Sequence, residues 1–142
     1  MAERKKVLFV CSANTCRSAV AEAILREYGS DRYFAYSAGI YARSGEPMMQ
    51  KCAEALEELF GHGVSAYSHS ATRLHATHLA DNVFIVAVSE GYADILRAYF
   101  PLYKEKITAF PNGIADISCL HGDALTRAIE RIRQEVFEMF SL

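Results

Sequence analysis

Residues 7–18 read Val7-Leu8-Phe9-Val10-Cys11-Ser12-Ala13-Asn14-Thr15-Cys16-Arg17-Ser18, an apolar run that passes abruptly into a polar loop. The continuous apolar residues Val7 to Val10 have the pattern of a strand buried on both faces of a sheet. From Ser18 the period changes: Ala19, Ala23, Ile24 and Tyr28 recur at helical spacing, and Gly29 closes the segment as a C-cap. A buried strand, a short loop and a helix in direct succession open a β-α-β arrangement, whose strands pair in parallel.

The alternation continues along the chain. Phe34 to Ala38 reads as a second strand ending at Gly39. Pro47, at a first-turn position, opens a helix over Met48 to Phe60 with Met49, Ala53, Leu56 and Phe60 on one face and Gly61 after it. Val83 to Val88 carries no charge and reads as a central strand. Glu90 to Phe100 follows as a helix with Ile95, Leu96 and Tyr99 facing inward, stopped by Pro101. Ile107 to Phe110 is a short last strand, and after a loop from Pro111 to Gly122 the chain closes with Asp123 to Phe140. There Leu125, Ile129, Ile132, Val136 and Met139 form an apolar stripe. This order predicts an α/β chain of three layers, α/β/α, around a four-stranded parallel sheet, with residues 1–142 forming one domain. Sheets of this kind bind ligands at the carboxyl ends of their strands, where strand order reverses, so the loop after the first strand is the candidate site.

Composition narrows the possibilities. The 142 residues are 51% hydrophobic and 23% charged, which excludes a disordered or low-complexity chain. Fifteen Lys+Arg against 17 Asp+Glu give a net charge of −2, which does not suit a sequence-independent nucleic-acid or membrane-surface binder. Glu3-Arg4-Lys5-Lys6 followed by Val7 to Val10 superficially resembles a secretory signal, but the apolar run meets Ser12, Asn14 and Arg17 too soon. We therefore expect a mature, cytoplasmic N-terminus. Cys11, Cys16, Cys52 and Cys119 show no paired CxxC spacing and accompany no HExxH motif, so cytosolic thiols are expected rather than a zinc site or a disulfide framework.

The chemistry of the loop follows from its place. A helix N-terminus gathers unpaired backbone N–H groups and a partial positive charge, which suits a phosphate-sized anion held by Ser12, Ala13, Asn14, Thr15, Cys16, Arg17 and Ser18. The Arg17 guanidinium adds a fixed fork for two phosphoryl oxygens. The same field favours a thiolate, which makes Cys11 a candidate nucleophile for in-line phosphoryl transfer to sulfur. No metal or organic cofactor is needed for that step. The competing reading is bland: a buried cysteine at a strand end and a solvated arginine in a first helical turn.

Val10-Cys11-x-x-Asn14-x-Cys16-Arg17-Ser18 resembles the signature of the low-molecular-weight protein tyrosine phosphatases, a family that also takes in bacterial arsenate reductases and protein-arginine phosphatases. The resemblance extends to Ala21-Glu22, to Ser37-Ala38-Gly39 and to His69-x-Ala71. It implies that Cys11 forms a phosphocysteine intermediate and that Arg17 binds phosphate and stabilises the transition state. It also implies that Asn14, Ser18, Ser37 and His69 form a network holding the loop and the thiolate. The expected partner is a phosphorylated protein or peptide, with no nucleic acid and no membrane, and the expected state is a monomer or weak dimer.

The chain departs from the family at the general acid. The family carries an Asp-Pro pair before the last helix, whereas this loop reads Ile114-Ala115-Asp116-Ile117-Ser118-Cys119-Leu120-His121-Gly122. Counting back from Gly122 puts the family's position on Ser118 or Cys119, two or three residues after Asp116. Three alternatives follow: Asp116 is the acid, His121 substitutes for it, or the acid is absent and the chain is a phosphate-binding pseudophosphatase. Thr15 is the residue of the protein-arginine phosphatase branch, so phosphoarginine stands as the alternative to phosphotyrosine. Arsenate reduction ranks low, because Val88 to Phe100 contains no cysteine to relay oxidation. Cys11 is expected to be redox-sensitive, bridging to Cys16 under mild oxidation.

Overall fold

Strand β1, Lys5–Cys11, is the centre of the architecture in the computed structural model, which describes residues 3–61, 68–80 and 83–142. Every residue from Val7 to Cys11 is buried, and successive side chains enter opposite cores. Val7, Phe9 and Cys11 join one cluster, while Leu8 and Val10 join another with Leu74, Leu79, Ala93 and Leu96. That double burial is why the run is uniformly apolar instead of alternating.

After β1 come α1 (Arg17–Tyr28), β2 (Tyr33–Gly39), α2 (Gln50–Phe60), α3 (Ala76–Ala80), β3 (Val83–Ala87), α4 (Glu90–Tyr99), β4 (Ile107–Ala109) and α5 (Gly122–Phe140). The sheet has the order β2-β1-β3-β4 with every pair parallel. Helices α1, α2 and α5 contribute to the cluster on one face, and α3 and α4 to the cluster on the other. Phe9 ties the first face together, stacking on Phe110 at 5.8 Å and meeting Phe140 edge-on at 5.9 Å. Such ring pairs add about 0.5–1.5 kcal/mol each beyond area burial. The expected three-layer fold with a four-stranded parallel sheet is what the chain adopts.

Three local expectations need correction. Helix α4 buries Ala93 and Leu96, whereas Ile95 and Tyr99 are exposed. Glu90, Asp94 and Arg97 share one side of the helix and the apolar residues span the wide arc opposite, so periodicity alone leaves the phase within that arc open, and packing on β3 and β4 selects the Ala93–Leu96 side. Helix α2 begins at Gln50 rather than near Met48: Met49 is its N-cap, with a non-helical ψ of 127°, and its N–H donates to the Thr15 carbonyl at 2.8 Å. The third concerns two elements not anticipated, α3 and a 3-10 turn over Pro101–Lys106, both too short to show a period.

Strand order reverses beside β1: the chain runs from β1 to β2 on one side, then returns across β1 to β3 on the other. The carboxyl end of β1 is thus the switch point, and the loop of residues 12–16 lies there.

Candidate active site

The loop is held open by backbone geometry. Asn14 adopts a left-handed conformation with φ 59°, which asparagine tolerates better than most residues. Its buried side chain is fully engaged: Nδ2 donates to Ser18 Oγ at 2.9 Å, and Oδ1 accepts from the Thr72 N–H at 2.9 Å. The His69 Nε2–H donates to the Asn14 carbonyl at 2.6 Å, which sets the tautomer of that ring. Ser18 Oγ lies 2.8 Å from Cys11 Sγ. Since that oxygen already accepts from Asn14, its own O–H is free to donate to the sulfur and to stabilise negative charge there.

Helix α1 starts at Arg17 with Cys16 as N-cap and no side chain capping it, so its first N–H groups remain available to a ligand. Arg17 is buried and preset: Nη1 donates to the Ile114 carbonyl at 3.0 Å, Nη2 lies 3.5 Å from the Tyr92 hydroxyl, and the guanidinium sits 5.2 Å from the Tyr92 ring centroid. The guanidinium has five N–H donors, so these contacts leave others for a phosphoryl group.

Gly39 closes the other side. It pairs with Cys11 in the sheet register, and an added Cβ would stand 2.4 Å from the Ser12 carbonyl oxygen and 2.9 Å from the Asn14 nitrogen. Only glycine lets β2 come so near the loop. Beyond it, the Ile40 N–H donates to the Cys11 carbonyl and the Tyr41 N–H to the Ser12 carbonyl. Ser37 plays a different part from the one the resemblance implied. Its hydroxyl donates to Glu22 on α1, which also pairs with Arg26 at 2.6 Å. The attachment of β2 to the loop runs instead through Gly39, Ile40 and Tyr41.

Asp116 Oδ1 accepts the Ser118 N–H at 2.9 Å, a local turn. The Ser118 backbone amide and hydroxyl, with smaller contributions from the charges of Arg17 and Lys51, hold the Asp116 carboxyl below its ordinary range. The carboxylate therefore shapes a turn and also feels the Arg17 guanidinium. His121 is the exposed N-cap residue of α5, and its side chain makes no capping bond. Cys16 and Cys52 face each other with sulfurs 3.2 Å apart. The bond to Cys52 and burial push the Cys16 pKa up, while the same bond and the Lys51 charge draw Cys52 down.

Cys11, Asn14, Arg17, Ser18 and His69 thus converge on one loop, with Asp116 beside it. Sequence reading did not assign Tyr92, Ile114, Thr72, Lys51 or Cys52 to the site. These come from four distant segments, and nothing local to any of them signals the loop of residues 12–16 or, for Lys51, the segment that carries Asp116.

The family model for low molecular weight phosphotyrosine protein phosphatase matches residues 6–123. A protein-arginine-phosphatase of Geobacillus stearothermophilus is 31% identical over 101 residues, a match covering 71% of this chain and 66% of that protein, just under two thirds of its length. A low molecular weight protein-tyrosine-phosphatase of Staphylococcus aureus is 31% identical over 103 residues, covering 72% of this chain and 70% of that protein. Among solved structures, a low molecular weight protein tyrosine phosphatase from T. tengcongensis superposes with a TM-score of 0.89 at 24% identity, over 96% of this chain and 98% of that one. The chain belongs to the low molecular weight phosphotyrosine protein phosphatase family of cysteine-based hydrolases.

Proposed function

We propose that this protein dephosphorylates a phosphorylated protein or peptide through a phosphocysteine intermediate, with phosphotyrosine as its substrate. The observation that carries the reading is the Ser18 hydroxyl 2.8 Å from the Cys11 sulfur, in a loop whose own Arg17 is buried and held toward the site by Ile114. Cys11 Sγ attacks phosphorus, and the bond to the leaving oxygen breaks as that oxygen takes a proton from Asp116. Water then attacks phosphorus and gives its proton to Asp116, while the P–S bond breaks and the electron pair returns to Cys11, where Ser18 donates to it. Arg17 and the loop N–H groups hold the equatorial oxygens as charge shifts between apical positions. Asn14 and His69 keep the loop in shape. The depressed pKa of Asp116 favours its role as base at neutral pH and confines its role as acid to lower pH.

Phosphoarginine is the second reading, favoured by Thr15 next to Cys16 and by the relative named as a protein-arginine-phosphatase. Comparing kcat/KM on a phosphotyrosine peptide and a phosphoarginine peptide separates the two. A chain with a reactive thiolate belongs in a reducing compartment, and the four unbridged cysteines fit the cytoplasm. Cys11 is its redox-sensitive residue, and Cys52 competes with it for Cys16, because the Cys16 sulfur already touches Cys52.

The deciding experiment uses aryl phosphates whose leaving groups differ in pKa. Asp116→Asn is expected to slow hydrolysis of phenyl phosphate by roughly 10²–10⁴-fold, the usual span of general acid catalysis, and to slow p-nitrophenyl phosphate far less. If Asp116→Asn leaves both unchanged while His121→Ala slows phenyl phosphate, the histidine is the donor. Negligible turnover by the wild type on every ester, with phosphate still bound, identifies a pseudophosphatase.

A further inference from the structure

In the loop that carries Asp116 the next residue is Ile117, with no proline to stiffen the turn, yet its backbone is gripped from outside. Lys51, in the first turn of α2, donates from Nζ to the Ser118 carbonyl at 2.5 Å and to the Leu120 carbonyl at 2.6 Å. Two charge-assisted bonds from one ammonium to alternate carbonyls fix the curvature of that segment. Ser118 is also the residue whose N–H holds the Asp116 carboxylate. At the other end, α2 is tied to the phosphate loop, through the Met49 N–H on the Thr15 carbonyl and through Cys52 against Cys16. A short mechanical path thus joins the two halves of the site.

We propose that Lys51 is a positioning residue for the general acid: by clasping Ser118 and Leu120 it sets Asp116 against the phosphate loop. This rests on the reading of Asp116 as the acid. A lysine serving only as a solvated surface charge would not spend two of its three donors on main-chain carbonyls of a segment 67 and 69 residues away.

The test measures phenyl phosphate and p-nitrophenyl phosphate hydrolysis, with amide hydrogen exchange over residues 116–121, for the wild type, Lys51→Met, Lys51→Arg and Asp116→Asn. Lys51→Met is expected to slow phenyl phosphate by roughly 10–100-fold and the nitrophenyl ester by less than about 3-fold, a part of the full acid effect. In the Asp116→Asn background the same change should add less than about 2-fold, since residues acting as a unit are non-additive. Exchange over 116–121 should quicken, and Lys51→Arg, whose guanidinium also presents several donors, should restore both readouts in large part. Equal slowing of the two esters, or unchanged exchange, overturns the proposal. If Asp116→Asn itself is silent on phenyl phosphate, the acid assignment falls and the clasp is judged on exchange alone. Faster exchange then keeps Lys51 as the loop's anchor, and unchanged exchange removes it. Should Lys51→Met not fold, Lys51→Gln, too short to span both carbonyls, takes its place with the same criteria.

Discussion

Asn14 satisfies three partners from one backbone conformation: Ser18, Thr72 and His69. Its importance was legible in the sequence, because the residues from Cys11 to Ser18 are contiguous and a local pattern can carry them. Asp116 was legible only as the sole carboxylate of its loop, and its partners show why its pKa is low. The Ser118 amide and hydroxyl both favour the charged form. A general acid acts protonated, so a depressed pKa places the loss of acid-assisted rate at lower pH than for an ordinary carboxyl. Ser118→Ala removes the hydroxyl and leaves the amide, which should raise that pKa part of the way back. The descending limb of the pH–rate profile on phenyl phosphate is then expected to move to higher pH, with little change on the nitrophenyl ester. Superimposable profiles for wild type and variant would detach Asp116 from the proton transfer.

Helices and strands meet at the loop with unequal tolerance. Strand β2 approaches the Ser12 carbonyl so nearly that a Cβ at Gly39 has backbone on its near side, which cannot swing away as a side chain would. Gly39→Ala is expected to destabilise the fold by about 1–3 kcal/mol, as overpacking does, and to weaken phosphate binding as well, since the displaced atoms belong to the loop. Gly91 is the control. It lies in the first turn of α4, where an added Cβ would meet nothing nearer than the Ser89 hydroxyl at 3.7 Å. Gly91→Ala should be neutral or stabilising by up to about 1 kcal/mol through helix propensity. Urea midpoints and phosphate titrations check both. If Gly39→Ala bound phosphate like the wild type, the close approach would be incidental to the site. At this scale the strands and the longer helices were legible in the sequence, but α3, the 3-10 turn and the way α4 is turned were not. Opposite its polar side of Glu90, Asp94 and Arg97 the apolar arc is wide, and the choice of Ala93 and Leu96 over Ile95 and Tyr99 is made by neighbours far along the chain.

The sheet order could be anticipated in kind, because buried apolar strands alternating with helices have few ways to pack. The convergence at its switch point could not, because Tyr92, Thr72, Cys52 and Ile114 meet residues 14–17 only through tertiary packing. The residues that frame the site come from β1, α1, β2, the 69–72 segment, α4 and the 114–116 segment, so an anion bound there contacts parts that separate together on unfolding. Phosphate should therefore stabilise the whole molecule by mass action, by about 2.7 kcal/mol at a concentration of 100 Kd. For a chain of this size that corresponds to a rise in Tm on the order of 5–10 °C. Cys11→Ser should keep the rise while abolishing turnover, since a hydroxyl has the thiol's shape without its nucleophilicity. Arg17→Lys should lose most of it, because an ammonium keeps the charge but not the planar fork, and it cannot reproduce the contacts to Ile114 and Tyr92. Thermal scans with and without phosphate measure both variants against the wild type. A full phosphate-dependent rise in Arg17→Lys would place the anion on the loop amides alone, and loss of the rise in Cys11→Ser would make the sulfur part of the binding site rather than only its nucleophile.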